Sequence, residues 1–331
     1  MECNENYNYE KSIKKWYLTF LNRSKAYKLC RPKLLSLPAI VKTQLHPNSR
    51  FNSDYHFATL TQIEPELANF IFEKHNKQTL DFADPLAVKL LNKALLKAHY
   101  QIEFWDIPEH YLCPAIPGRA DYIHYIADLL NGASQDRQIK GLDIGTGASC
   151  VYPIIGVGEY NWQFVGTDID PISVKTAQMI VKSNPPIGKK IEVRQQKQAD
   201  HIFTGVIKKG EQFAFSMCNP PFHKSLAEAF KGNQRKIKNL TGKTPAKSQF
   251  NFGGQQAELW CKGGEIAFVS QMITESQAYA ENIQWFTCLI SKKENIKPLQ
   301  KRLQQVKAKQ VRVIDMAQGN KVSRILAWCY T

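Results

Sequence analysis

Lys140-Gly141-Leu142-Asp143-Ile144-Gly145-Thr146-Gly147-Ala148-Ser149 is a mainly apolar run that closes on a carboxylate, two glycines one residue apart and a hydroxyl. The run reads as a strand and the glycines as a turn that lets backbone approach a ligand closely. The residues beyond read as the start of a helix, whose unpaired amides face an anionic group. This is how a doubly wound α/β domain begins. The glycines alone do not choose the ligand, because a dinucleotide site uses a similar loop. Here, however, the third glycine of the G-x-G-x-x-G pattern is missing, and an acidic residue stands two positions before the first.

Downstream the pattern alternates strand and helix. Strands are expected at 140–144, 163–167, 190–194, 213–218 and 265–270, and helices at 149–156, 171–183 and 275–290. Gln310 to Asp315 and Arg324 to Tyr330 flank Gly319-Asn320 and read as a hairpin. Asp168 closes the second strand, where a carboxylate can accept both ribose hydroxyls of a nucleoside cofactor. NAD and S-adenosyl-L-methionine both carry that ribose. Asp170, directly before Pro171, is the expected cap of the next helix.

What separates the two cofactors is the turn after the fourth strand, Asn219-Pro220-Pro221-Phe222. A rigid turn presenting one amide and one aromatic ring suits a planar nitrogen group. Hydrogen bonds to the Asn219 oxygen and the Pro220 carbonyl would draw an aryl amine toward tetrahedral geometry while Phe222 stacks on the base, and a dehydrogenase has no use for such a turn. The chain carries its own control in Asn184-Pro185-Pro186, which is followed by Ile187-Gly188 after an expected helix and reads as an ordinary connection.

The bulk properties point to a polyanionic partner. Among 331 residues, 44 Lys and Arg against 29 Asp and Glu give a net charge of +15. Lys224 to Lys247 concentrates basic residues, among them Arg235, Lys236, Lys238 and Lys243, in a loop beside the turn, suited to phosphates flanking an extruded base. No apolar run nears the ~18 residues of a membrane span, and the N-terminus lacks a signal-peptide core. The eight cysteines contain no Cys-x-x-Cys pair, so metal spacing is absent and reduced thiols in the cytoplasm are expected.

Three regions follow: a basic, aromatic N-terminal extension (1–45), a small helical region with RNA contacts (46–115), and the catalytic domain (116–331). Asp84-Pro85 marks a helix start in the second, and Leu60, Ile63, Leu67, Phe70 and Ile71 carry helical spacing.

Five stretches together resemble the large-subunit ribosomal RNA adenine-N6 methyltransferases of the RlmF type, and their eukaryotic relatives acting on a spliceosomal small nuclear RNA. They are Asp81-Phe82-Ala83-Asp84-Pro85, Ile116-Pro117-Gly118-Arg119-Ala120-Asp121-Tyr122-Ile123-His124, Asp143 to Cys150, Cys218 to Phe222, and Leu326-Ala327-Trp328. The resemblance runs from about residue 46 to the end. It implies a Rossmann-like α/β fold with a mostly parallel seven-stranded sheet, a C-terminal antiparallel hairpin and a small helical N-terminal region. It also implies S-adenosyl-L-methionine as donor, and N6-methyladenine in 23S rRNA, free or in a large-subunit assembly intermediate, as product, with no metal and no membrane. By matching position, Arg119, Asp143, Gly145, Gly147, Ser149 and Asp168 would hold the cofactor, with Arg119 on its carboxylate and Gln198 near its adenine. Asn219, Pro220, Pro221 and Phe222 carry over as the catalytic turn. Lys224 and the loop cations would meet RNA, as would Arg50 in Leu45-His46-Pro47-Asn48-Ser49-Arg50. The competing functions are an amino methyltransferase acting on another RNA, DNA or a protein glutamine, and a non-catalytic RNA-binding assembly factor.

Overall fold

The computed structural model describes residues 45–130, 138–225, 260–318 and 321–331. Residues 42–331 form one compact unit. Its first elements are helix α1 (Phe57–Ile63), a 3-10 turn (Pro65–Phe70) and an antiparallel hairpin of β1 (Ile71–Lys74) and β2 (Lys77–Leu80). Helix α2 (Pro85–Tyr100) starts where Asp84 accepts from the amides of Leu86 at 2.8 Å and Ala87 at 3.3 Å, with Pro85 needing no partner. The hairpin is absent from the sequence reading, which ran a helical pattern through Phe70 and Ile71. Its turn uses His75 and Asn76 at φ 53° and 58°, left-handed values favourable to asparagine.

Helix α3 (Ile116–Leu130) leads into the large sheet, whose order is β5-β4-β3-β6-β7-β9-β8. Strands β3 (Lys140–Ile144), β4 (Gln163–Asp168), β5 (Ile191–Gln195), β6 (Phe213–Cys218) and β7 (Ile283–Ile290) are parallel. Strands β8 (Gln310–Gln318) and β9 (Lys321–Cys329) form the expected antiparallel hairpin, with β9 against β7. The connecting helices are α4 (Val151–Tyr160), α5 (Pro171–Ser183), α6 (Gly264–Ser276) and α7 (Ile296–Gln305). Asp170 caps α5, accepting from Ser173 at 2.8 Å, as its place before Pro171 implied.

Two expectations are corrected. Residues 265–270 belong to helix α6, and of the helix expected at 275–290 only the first residues are helical, the end of α6 and a 3-10 turn (Gln277–Tyr279), before strand β7 takes the second half. A short apolar run such as Ile266 to Val269 fits a buried helix as well as a strand. Ile283-Gln284-Trp285-Phe286-Thr287-Cys288-Leu289-Ile290 is buried along nearly its whole length, so the side-to-side alternation that betrays a strand is missing. Trp328, fully buried on β9, stacks on Phe286 of β7 with ring centroids 5.7 Å apart and donates to Ser276 at 3.0 Å, which locks sheet to helix. One apolar cluster joins Leu60, Leu90, Ile116 and Phe164, and a second fills the opposite face of the sheet around Phe203, Met272 and Leu326.

Asn184 of the control triplet is 1% exposed and staples α5 to the chain before the sheet. Its oxygen accepts from Glu103 at 2.8 Å and Phe104 at 3.1 Å, and its amide donates to the Phe104 and Ile180 carbonyls at 2.6 and 2.7 Å. The role is structural.

Candidate active site

In the strand order, β3 has β4 on one side and β6 on the other, so the winding reverses at β3 and a crevice opens beyond the strand ends. Ile144 pairs with Cys218 in the parallel ladder, and the next residues, Gly145 and Asn219, leave the sheet side by side. A cavity of about 410 Å³ lies there. Arg119, Gly145, Gly147, Ser149, Asp168, Asn219 and Pro221 all line it.

The glycine loop is held open by backbone. Gly145 and Gly147 adopt φ of 72° and 65°, and the amides of Gly145 and Thr146 both donate to the Thr167 carbonyl at 2.9 Å. A Cβ on Gly145 would meet no protein atom within 4 Å, so the space beside it is left for a ligand. Asp168 Oδ2 accepts from the Gly147 amide and Oδ1 from the Asp170 amide, each at 2.9 Å, which aims the carboxylate across the loop. Burial raises its pKa, against those two amide bonds.

Asp143 is fully buried directly behind the loop. The buried Thr146 hydroxyl of the loop is the polar group beside the Asp143 oxygens. Burial pushes the Asp143 pKa up to about 7, against the Thr146 hydroxyl, with Asp168 adding and the Arg119 charge opposing. Asp143 does not itself line the cavity, so it acts on the site through the loop in front of it, whereas Asp168 does line it and presents a carboxylate at the strand end, which fits the ribose of S-adenosyl-L-methionine.

Arg119, from the first turn of α3, reaches into the cavity and donates to the Tyr152 hydroxyl at 2.7 Å, its Cζ lying 5.4 Å from the Tyr152 ring centre. Its guanidinium also meets the side chain of Asn219. The turn at 219–222 is tied down just beyond its end: His223 forms a parallel bridge with Trp260, and the Cys261 amide donates to the His223 carbonyl at 3.2 Å.

Several expected residues lie elsewhere. Gln198 is exposed and outside the lining, whereas Gln196 is buried in the wall and its oxygen accepts from the Gln198 amide at 3.0 Å. Pro220 and Phe222 flank the lining without joining it. The Arg50 guanidinium is held by both oxygens of Glu159, at 2.7 and 2.8 Å, over the Tyr100 ring. Lys224 is exposed, its stem packed near Gly264, and Arg235, Lys236, Lys238 and Lys243 lie outside the described residues. The sequence reading missed Tyr152, Gln196 and Trp260, all in the wall. Tyr152 lies in the first turn of α4, just beyond the glycine loop, and its place beside that loop was the signal that could have found it. Trp260 had no local signal, because a tertiary bridge 37 positions from His223 brings it in.

Among the described residues no helix is long and apolar enough to cross a membrane, and no group of three His, Cys, Asp or Glu is placed to hold a metal ion.

The seven-stranded sheet and its cofactor crevice define a Rossmann-like, S-adenosylmethionine-dependent methyltransferase. A family model described as RNA methyltransferase matches residues 39–331, and the chain belongs to that family. It is 54% identical over 294 residues to the ribosomal RNA large subunit methyltransferase F of Aeromonas salmonicida, covering 87% of this chain and 92% of the relative. It is 49% identical over 306 residues to the putative enzyme of that name from Vibrio cholerae, covering 88% and 84%. Among solved structures, the human METTL16 catalytic domain in complex with the MAT2A 3′UTR hairpin 1 superposes with a TM-score of 0.75 at 30% identity, over 87% of this chain and 96% of that one. The N-terminal domain of human METTL16 in complex with SAH gives 0.70 at 27%, over 87% and 100%.

Proposed function

We propose that the protein transfers a methyl group from S-adenosyl-L-methionine to the N6 amino group of one adenine in 23S rRNA. The observation that carries the reading is the adjacency of Gly145 and Asn219 at the ends of paired strands, which sets an amide-presenting turn against the cofactor loop. The names of the relatives supply the ribosomal RNA, and the net charge of +15 agrees with a nucleic acid.

The bound cofactor supplies an electrophilic methyl on a cationic sulfur. Asp168 would accept from its ribose hydroxyls and Arg119 would pair its carboxylate, with Gly145, Gly147, Ser149 and Gln196 in the lining around it and Asp143 adding negative charge from behind the loop. On the acceptor side the Asn219 oxygen and the Pro220 carbonyl receive the two N6 hydrogens, which turns the nitrogen lone pair out of the ring and toward the methyl. Pro221 and Phe222 hold the base against the turn. The rate comes from positioning, because the amine loses its proton only after attack. Lys224 and the cations of the following segment grip phosphates on either side of the base. The substrate pool is cytoplasmic rRNA, free or in a large-subunit assembly intermediate.

The test is nucleoside mass spectrometry of 23S rRNA and of assembled particles from cells lacking the enzyme, each treated with it. N6-methyladenosine at a single position is expected. A methyl on a ribose, on a ring carbon or on another base would refute the reading.

A further inference from the structure

Arg119 stands between the two halves of the cleft. On one side it is anchored to Tyr152, a fully enclosed side chain of α4 whose hydroxyl accepts from Nη1 at 2.7 Å. On the other side lies the Asn219 amide, and the orientation that satisfies both of its ends sets its oxygen toward the guanidinium, where it accepts from Nη1 at 3.0 Å and Nη2 at 3.3 Å. An amide oxygen has two lone pairs, and a forked guanidinium engages both. The acceptor that the N6 amine needs is therefore held by the cation assigned to the cofactor carboxylate.

We propose that Arg119 is an exchange latch between donor and acceptor sites. It holds Asn219 until a carboxylate draws the guanidinium across, so that the cofactor readies the turn for the base. The inference rests on the preceding assignment of Arg119 to the carboxylate and Asn219 to the amine. A guanidinium–carboxylate pair has charge on both sides and is stronger than a guanidinium–amide pair, which sets the direction of exchange. Linkage makes it reciprocal: a base amine on Asn219 and a carboxylate on Arg119 favour each other. An adenosine ligand without the carboxylate fills the donor pocket and leaves the latch closed.

Calorimetry with two probes tests this: S-adenosylhomocysteine, which carries the carboxylate, and 5′-methylthioadenosine, which lacks it. Asn219→Ala releases the latch, so S-adenosylhomocysteine should bind about two- to tenfold tighter, the range of one exchanged hydrogen bond. The affinity for 5′-methylthioadenosine should not change. Asn219→Asp, which grips Arg119 harder, should weaken S-adenosylhomocysteine more than 5′-methylthioadenosine. In an Arg119→Met background, Asn219→Ala should alter neither. S-adenosylhomocysteine binding that is unchanged or weaker in Asn219→Ala overturns the latch, as does equal tightening of both probes. Because no RNA enters these titrations, the latch can fail while N6-methyladenosine is still formed, and the two results stay separate.

Discussion

At the scale of single residues, the proposed roles divide into groups that would serve the donor and groups that would serve the acceptor, and substitutions should separate them. Asn219→Ala should lower methyl transfer to 23S rRNA by about a hundredfold or more, the scale of a lost preorganised contact at a reacting centre. Cofactor affinity should not fall, and normal turnover in a radiolabelled-methyl assay would remove Asn219 from the chemistry. Asp168→Ala should weaken S-adenosylhomocysteine directly, which calorimetry reads without any RNA. Asp143 carries a pH signature. Its folded pKa is raised to about 7, so its contribution to stability is complete below the unfolded value and is lost as pH rises through 7. Asp143→Asn should therefore gain melting temperature over the parent as pH climbs from about 4 to 8. It should also bind S-adenosyl-L-methionine more weakly at pH 8, where the parent carries a negative charge behind the loop. An equal melting offset at both ends of that range would refute the assignment. Most of these residues were legible because their chemistry is local: glycines at positive φ, a carboxylate at a strand end, an amide before two prolines. Gln196 was not, because a register of two residues beyond a strand end is set by how the chain turns, here with the Gln196 side chain donating to the Thr204 carbonyl at 2.9 Å.

At the scale of elements, the two Asn-Pro-Pro triplets show how one local sequence takes opposite duties. Asn219 follows a strand and opens on the cavity, whereas Asn184 ends α5 with its whole amide spent on backbone. Asn184→Ala would strand the Glu103 and Phe104 amides, at a cost of about 2–3 kcal/mol. A melting point lower by roughly 5 °C or more is expected, with methyl transfer at 25 °C retained. Lost activity with an unchanged melting point would give the second triplet a functional role. The strands β3 to β6 were legible from short apolar runs punctuated by Gly, Pro and Asp. Strand β7 was not, since a central strand walled on both faces loses its period of two and leaves only composition to read. Helix α6 was misread for the complementary reason. Its buried Glu265 breaks no apolar pattern visible in sequence, yet it caps the loop after β7 by accepting from the Ser291 amide at 2.7 Å and the Asn295 side chain at 2.7 Å.

At the scale of the whole molecule, fold class followed from the alternation of strand and helix, and partner class from net charge. Which RNA is bound cannot be written in either, since charge reads phosphate and not sequence. Affinity for 23S rRNA should fall at least about tenfold between roughly 50 and 200 mM salt, while S-adenosylhomocysteine affinity holds nearly constant. A filter-binding titration giving a flat salt response would argue against the basic surface as the RNA grip. The bridge between His223 and Trp260, with the Cys261 amide bonded to the His223 carbonyl, fixes the described backbone on either side of the cavity wall. A segment entered and left through fixed points can change in length or charge while the points stay put. Exchanging residues 226–259 for the equivalent stretch of another family member should therefore change RNA binding while S-adenosylhomocysteine affinity is kept, which filter binding and calorimetry check side by side.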